Sequence, residues 1–134
     1  MPGLNTSLLR SLDAQPYWDG LQAGQLLIQC CRVCGHYRHY PRPMCPTCQA
    51  MDHDWLPVSD VGTVHSWTVL HQSALPELAG LLPLTLLTVA LPEGVRLLGR
   101  LRPGADTAVV DGAAVHISVV VDAAGDPQVQ FDWA

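Results

Sequence analysis

The 134-residue chain contains no lysine and a single phenylalanine, and its seven basic residues are all arginine against twelve acids, a formal net charge of −5. That balance argues against indiscriminate phosphate binding, which draws its affinity from a net basic face that releases condensed counterions. No stretch approaches the roughly 18–20 uninterrupted apolar residues of a membrane span. The opening MPGLNTSLLRSLDAQP also lacks the long apolar run and small-residue cleavage site of a secretory leader. These absences predict a cytoplasmic protein. Charged residues are scarce at 14% while apolar residues reach 49%, so the chain can bury a core and is not compositionally disordered. Its length allows one modest core, or a small stapled unit joined to a larger module.

Four of the five cysteines fall into two C-x-x-C pairs, Cys31/Cys34 and Cys45/Cys48, with ten residues between them. Each pair sets two thiolates across a tight turn, and the intervening segment is long enough for a hairpin that lets both turns converge on one ion. Four sulfurs at about 2.3 Å leave no open coordination position, which is the chemistry of a structural zinc rather than a catalytic one. Iron uses the same donors in a rubredoxin-type site, but nothing else in the chain points to electron transfer, so zinc is expected. Gly35, directly after the first pair, suits the left-handed backbone such turns need. Cys30 is left over and reads as a small packed hydrophobe at a strand end. His36, His39 and His53 are expected outside a shell already filled by sulfur.

Around this site the chain divides into three parts: a helical segment (1–24), a zinc ribbon (25–58) and a β domain (59–134). Leu8, Leu9 and Leu12 mark one short helix. Tyr17, Trp18 and Leu21, following Pro16, mark a second that Gly24 ends. Both are too short to stand alone in water and need a surface to lie on. Gln25–Cys30 and Arg38–Tyr40 read as the ribbon's strands.

Beyond residue 58 come five strand candidates: Val61–His71, Leu84–Leu91, Val95–Arg102, Ala114–Val121 and Gln128–Trp133. Pro92-Glu93-Gly94 and Ala124-Gly125-Asp126-Pro127 are hairpin turns, and 102–113 is a longer connection. Five strands with one long link predict a mainly β fold that ends in an OB-fold barrel, a five-stranded Greek-key architecture; a small open sandwich is the alternative.

The segments PYWDGLQAGQLLIQC, CRVCGHYRHYPRPMCPTC and HDWLPVSDVGTVHSWTVLH, in that order, resemble the family that joins an N-terminal helix and a rubredoxin-like zinc ribbon to a C-terminal OB-fold. VRLLGRLR and DGAAVHISVVV look like its closing barrel strands. The resemblance runs from about Tyr17 to the end. It implies an acyl-CoA-associated accessory subunit, assembled with a thiolase-fold enzyme (thiolase, acyltransferase or aldolase) that carries the catalytic residues. The matching positions are Cys31, Cys34, Cys45 and Cys48, and no catalytic residue carries over. Members often have a basic residue before the first ligand, where this chain has Cys30.

Two other readings stand beside it: an OB-type single-strand nucleic-acid binder and a free-standing acyl-CoA-binding protein. Arg32, Arg38 and Arg42, with His36 and His39, form a positive stretch without an acid between the pairs, suited to an acidic partner or to coenzyme A phosphates. Leu75, Leu78, Leu81 and Leu82 are too apolar for a solvated loop, so 72–83 is expected to face a partner or an acyl chain. The four tryptophans are expected mainly in the core. His65 and His71 would share a strand face if no bulge intervenes, yet no nucleophile or carboxylate partner for them is visible and no activity of the chain's own is expected.

Overall fold

A computed structural model describes residues 12–74, 80–121 and 125–134. Leu8, Leu9, Leu75 and Leu78 lie outside them. A 3-10 turn at Leu12–Ala14 leads into the helix α1 (Gln15–Gln22), which has Pro16 in its first turn and Tyr17 and Leu21 on its buried side. The helix stops in a paired bond pattern in which the Gly24 amide donates to Leu21 O and the Gln25 amide to Gly20 O. This satisfies carbonyls that would otherwise be orphaned at the helix end.

The ribbon is a three-stranded sheet of order β2-β1-β3, built from β1 (Leu27–Cys31), β2 (Tyr37–Arg38) and β3 (His53–Pro57), with β1 antiparallel to both neighbours. The sequence pattern identifies β1 and β2 within two residues but does not assign His53–Pro57 to a strand. HDWLP lacks an alternating apolar pattern and becomes a strand by pairing residue for residue with Leu27–Cys31.

The remainder closes into a barrel of β4 (Val61–Leu70), β5 (Leu84–Ala90), β6 (Arg96–Leu101), β7 (Ala114–Val121) and β8 (Pro127–Trp133), in the order β4-β5-β6-β8-β7. The β5–β6 and β7–β8 pairs are antiparallel hairpins, while β6 meets β8 in parallel. This is the expected OB-fold, with strand ends shifted by a residue from the pattern. Inward residues alternate along the strands, as Thr85, Leu87 and Val89 do on β5. Leu87, Val89, Val115 and Phe131 are fully enclosed.

One apolar cluster joins Tyr17, Leu21 and Ile28 to these barrel residues, so helix, ribbon and barrel share a core. A second tie is polar: Glu93, in the β5–β6 turn, accepts through Oε2 from the amide (3.0 Å) and hydroxyl (3.1 Å) of Ser59 in the short link between ribbon and barrel.

Two expectations change on β4. A bulge between Val64 and Ser66 shifts the register, and His71 lies past the strand's end, so His65 and His71 do not share a strand face. Trp67 is 44% exposed rather than buried. β7 pairs only with Val61–Thr63, and β4 continues along β5 beyond that cover.

Gly99 on β6 sits where a methyl group would meet the Phe131 ring at 2.7 Å and the Val129 carbonyl at 2.8 Å. Backbone cannot yield as a flexible side chain does. Gly99→Ala should therefore destabilise the protein by about 1–3 kcal/mol, a fall in Tm of roughly 5–10 °C by calorimetry. An unchanged Tm would show that the barrel is loosely packed at this point.

Candidate metal centre

Both cysteine turns use one backbone design. The Cys31 amide donates to His36 O and the Gly35 amide to Cys31 O; fourteen residues on, the Cys45 amide donates to Ala50 O and the Gln49 amide to Cys45 O. Gly35 has φ +76° and its counterpart Gln49 has φ +63°. The second turn thus tolerates a left-handed residue with a side chain, which the sequence signals only at Gly35.

The two turns bring the Sγ atoms of Cys31, Cys34, Cys45 and Cys48 within 4.8 Å of one another. Cys31 and Cys48 are 3.5 Å apart and Cys34 and Cys45 3.6 Å. A thiolate tetrahedron around zinc at about 2.3 Å has edges of about 3.8 Å, so the donors fit one ion.

The electrostatics make the same point. Cys31 is drawn below the usual thiol range, chiefly by the Cys34 amide, which donates to its sulfur at 3.4 Å. Cys45 is drawn down to about 6, chiefly by the Cys48 amide. Cys34 moves the other way: the His36 amide favours its thiolate, but burial and the three neighbouring sulfurs outweigh it and push it up to about 12. Four sulfurs this close cannot all ionise unless a cation offsets their repulsion.

Cys30 stays outside the cluster. It is buried, its thiol donates to Gly35 O at 3.5 Å, and burial pushes its pKa up. Such a group packs as a neutral hydrophobe.

The positive stretch of the ribbon is less available than its sequence implies. Arg32 pairs with Asp54 of β3 at 2.7 Å. Arg38 is 4% exposed and donates to the Arg42 carbonyl through Nε and Nη2. His39 packs against Tyr17 and Tyr40, with ring centroids 5.1 and 5.3 Å away, and burial lowers its pKa to about 4, so it carries no charge at neutral pH. Arg42 is exposed, and its amide donates to Gln29 Oε1. The side chain that sequence reasoning missed is Asp54, whose pairing with Arg32 depends on the unassigned strand. In 72–83, Leu81 is 37% exposed and Leu82 half-buried. Among the described residues no helix is long and apolar enough to cross a membrane.

A four-sulfur ribbon running directly into a five-stranded barrel defines the class: a zinc-ribbon and OB-fold protein. The chain belongs to the ChsH2 family, matching its rubredoxin-like zinc ribbon domain over residues 18–53 and its C-terminal OB-fold domain over residues 55–126.

Among curated proteins, the 3-oxo-4,17-pregnadiene-20-carboxyl-CoA hydratase alpha subunit of Mycobacterium tuberculosis is 39% identical over 101 residues, 75% of this chain and 31% of that protein. A probable enoyl-CoA hydratase alpha subunit of Thermomonospora curvata is 34% identical over 85 residues, 63% of this chain and 26% of that protein. The chain thus spans under a third of the length of the curated relatives it matches. Among solved structures, a chain of the Ltp2-ChsH2(DUF35) aldolase is similar with a TM-score of 0.83 at 27% identity, covering 92% of this chain and 96% of that one. A DUF35-family protein of unknown function from Sulfolobus solfataricus has a TM-score of 0.63 at 14% identity, covering 96% and 90%, a likeness of fold alone.

Metal binding to thiols displaces protons, so affinity falls as pH falls. With four thiolates as ligands, metal-loaded protein should hold its ion at neutral pH and release it as acid protonates them, followed with a chromophoric chelator down to about pH 3. Metal content that stays constant across that range would mean the sulfurs are not the ligands.

Proposed function

We propose that this chain is a zinc-binding accessory subunit without catalysis of its own, which docks on a thiolase-superfamily enzyme of acyl-CoA metabolism and supports its assembly and acyl-CoA pocket. The observation that carries this reading is the likeness to the Ltp2-ChsH2(DUF35) aldolase chain over nearly the whole molecule. That protein's name joins a ChsH2 component to an aldolase. The sequence resemblance supplies the thiolase superfamily as the class of partner.

The chemistry of the ribbon agrees with a structural role. Cys31, Cys34, Cys45 and Cys48 as ligands fill a tetrahedral shell, leaving no position for substrate or an activated water. Zinc is the metal, in line with the zinc ribbon by which the family is described. The hydratase activity named for the curated relatives belongs to proteins of which this chain spans 31% or less. Their names do agree with an acyl-CoA setting, which supports a cytoplasmic complex. Arg42, exposed in the segment between the two cysteine pairs, and Leu81 and Leu82, in the connection from β4 to β5, are the side chains we assign to contact with the partner or its CoA ester.

Two experiments test this reading. Freshly purified protein should contain one zinc per chain by elemental analysis. Cys45→Ser should lose it and unfold the ribbon, whereas Cys30→Ser should keep both metal and fold; metal loss in the Cys30 variant would relocate the ligand set. Affinity-tagged protein expressed in its native host should retain a thiolase-superfamily subunit in stoichiometric amount, identified by mass spectrometry. Recovery of nucleic acid instead, or of the chain alone with tightly bound acyl-CoA, would replace the docking role by one of the other two readings.

A further inference from the structure

Arg100 lies on β6, in register with Leu86 of β5 on one side and Gln130 of β8 on the other. Its Nε is shielded from solvent and has no hydrogen-bond partner. Neither of the ion pairs found among the described residues, Arg32–Asp54 and Arg102–Asp132, includes it. Buried polar groups are almost always paired, and a buried guanidinium N–H without an acceptor is costly. Water can satisfy one such N–H but does not neutralise the cation.

This arginine opens on a cavity of about 230 Å³ between the end of the 72–83 loop and the start of the 102–113 connection. Leu81, Leu82 and Leu84 are part of its apolar lining, and Arg100 and Arg102 are its cations. Arg102 is already engaged by Asp132 at 2.8 Å, which leaves Arg100 as the lining cation without an ion pair among the described residues. The chain as a whole is acidic, at −5, so its distant field does not gather anions here and the attraction has to be local. A guanidinium presents a planar fork that matches a carboxylate or phosphate. OB barrels, moreover, commonly bind along their second and third strands beside the loop joining the first two, which is where this cavity lies.

We propose that the cavity is a binding site for a small organic anion, with a carboxylate or phosphate head held by Arg100 and a short apolar stem laid on Leu81, Leu82 and Leu84. Its size decides what enters. Drug-sized sites occupy about 300–1,000 Å³, so this one takes a head group with a few methylenes and not a whole cofactor. The site requires neither the metal nor a partner enzyme to bind; it shares Leu81 and Leu82 with the surface assigned to docking, so titration of this chain without a partner tests it separately from that reading.

Titration of the full-length, zinc-loaded protein with acetate, hexanoate and inorganic phosphate, followed by amide chemical shifts, tests it. Saturable shifts are expected at residues 81–85 and 100–105, with hexanoate tighter than acetate. Hexanoate without phosphate binding identifies the head as carboxylate, and phosphate without hexanoate binding identifies it as phosphate. Arg100→Gln should weaken whichever binds at least tenfold, Arg100→Lys should restore part of the loss, and Arg96→Gln, an exposed arginine on the same strand, should change nothing. The dispersed spectrum of each variant reports that it is folded. The proposal is overturned by an absence of saturable shifts up to about 20 mM, well above the constants expected of so small a ligand. Binding that persists in Arg100→Gln, or that maps to the ribbon arginines, overturns it equally.

Discussion

Tyr17, Leu21 and Ile28 are buried in the same apolar cluster as Val115, Val129 and Phe131, and the rest of the molecule depends on this shared core. The ribbon sheet is too small to bury a core of its own: one of its strands has two residues and the others five. An eight-residue helix is likewise too short to persist in water without a surface to cover. Packing the helix across the ribbon and barrel solves both problems at once. The four sulfurs gather where β1 ends at Cys31, and none of them belongs to that apolar cluster.

What could be read in the sequence was what local spacing encodes. Two C-x-x-C pairs define two turns because each involves neighbouring residues. Alternation along Leu84–Leu91 or Ala114–Val121 defines a barrel strand because one face is buried and the other is not. The hairpins followed from Pro92-Glu93-Gly94 and from the Gly125 turn. The barrel's closure was inferred only from strand number, since β4 meets β7 across some fifty residues of chain.

What could not be read was created by partners distant in sequence. His53–Pro57 becomes a strand because β1 is there to pair with it, and Asp54 consequently reaches Arg32, 22 residues away. A positive stretch in the sequence is therefore partly neutralised in the fold, and burial removes His39 from it as well. Arg38 follows the same logic: read in sequence it is a surface cation, but its cross-strand position opposite Gln29 places it inside. Trp67 errs in the opposite direction. As a large aromatic it is expected in the core, and it does stand opposite the buried Leu87, but β7 pairs with β4 only as far as Thr63. Nothing in the sequence singles out Arg100; the cavity beside it and its unpartnered Nε distinguish it only in the fold.

The carboxylate of Glu93 gives the short link between ribbon and barrel a mechanical character. By gripping both the amide and the hydroxyl of Ser59, it makes a hairpin of the barrel into a bracket for the chain entering it. A link pinned in this way behaves as a weld rather than a hinge, so a protein that seizes the barrel also acquires the ribbon at a set angle. The molecule thus sets the spacing of its own two parts by shape alone.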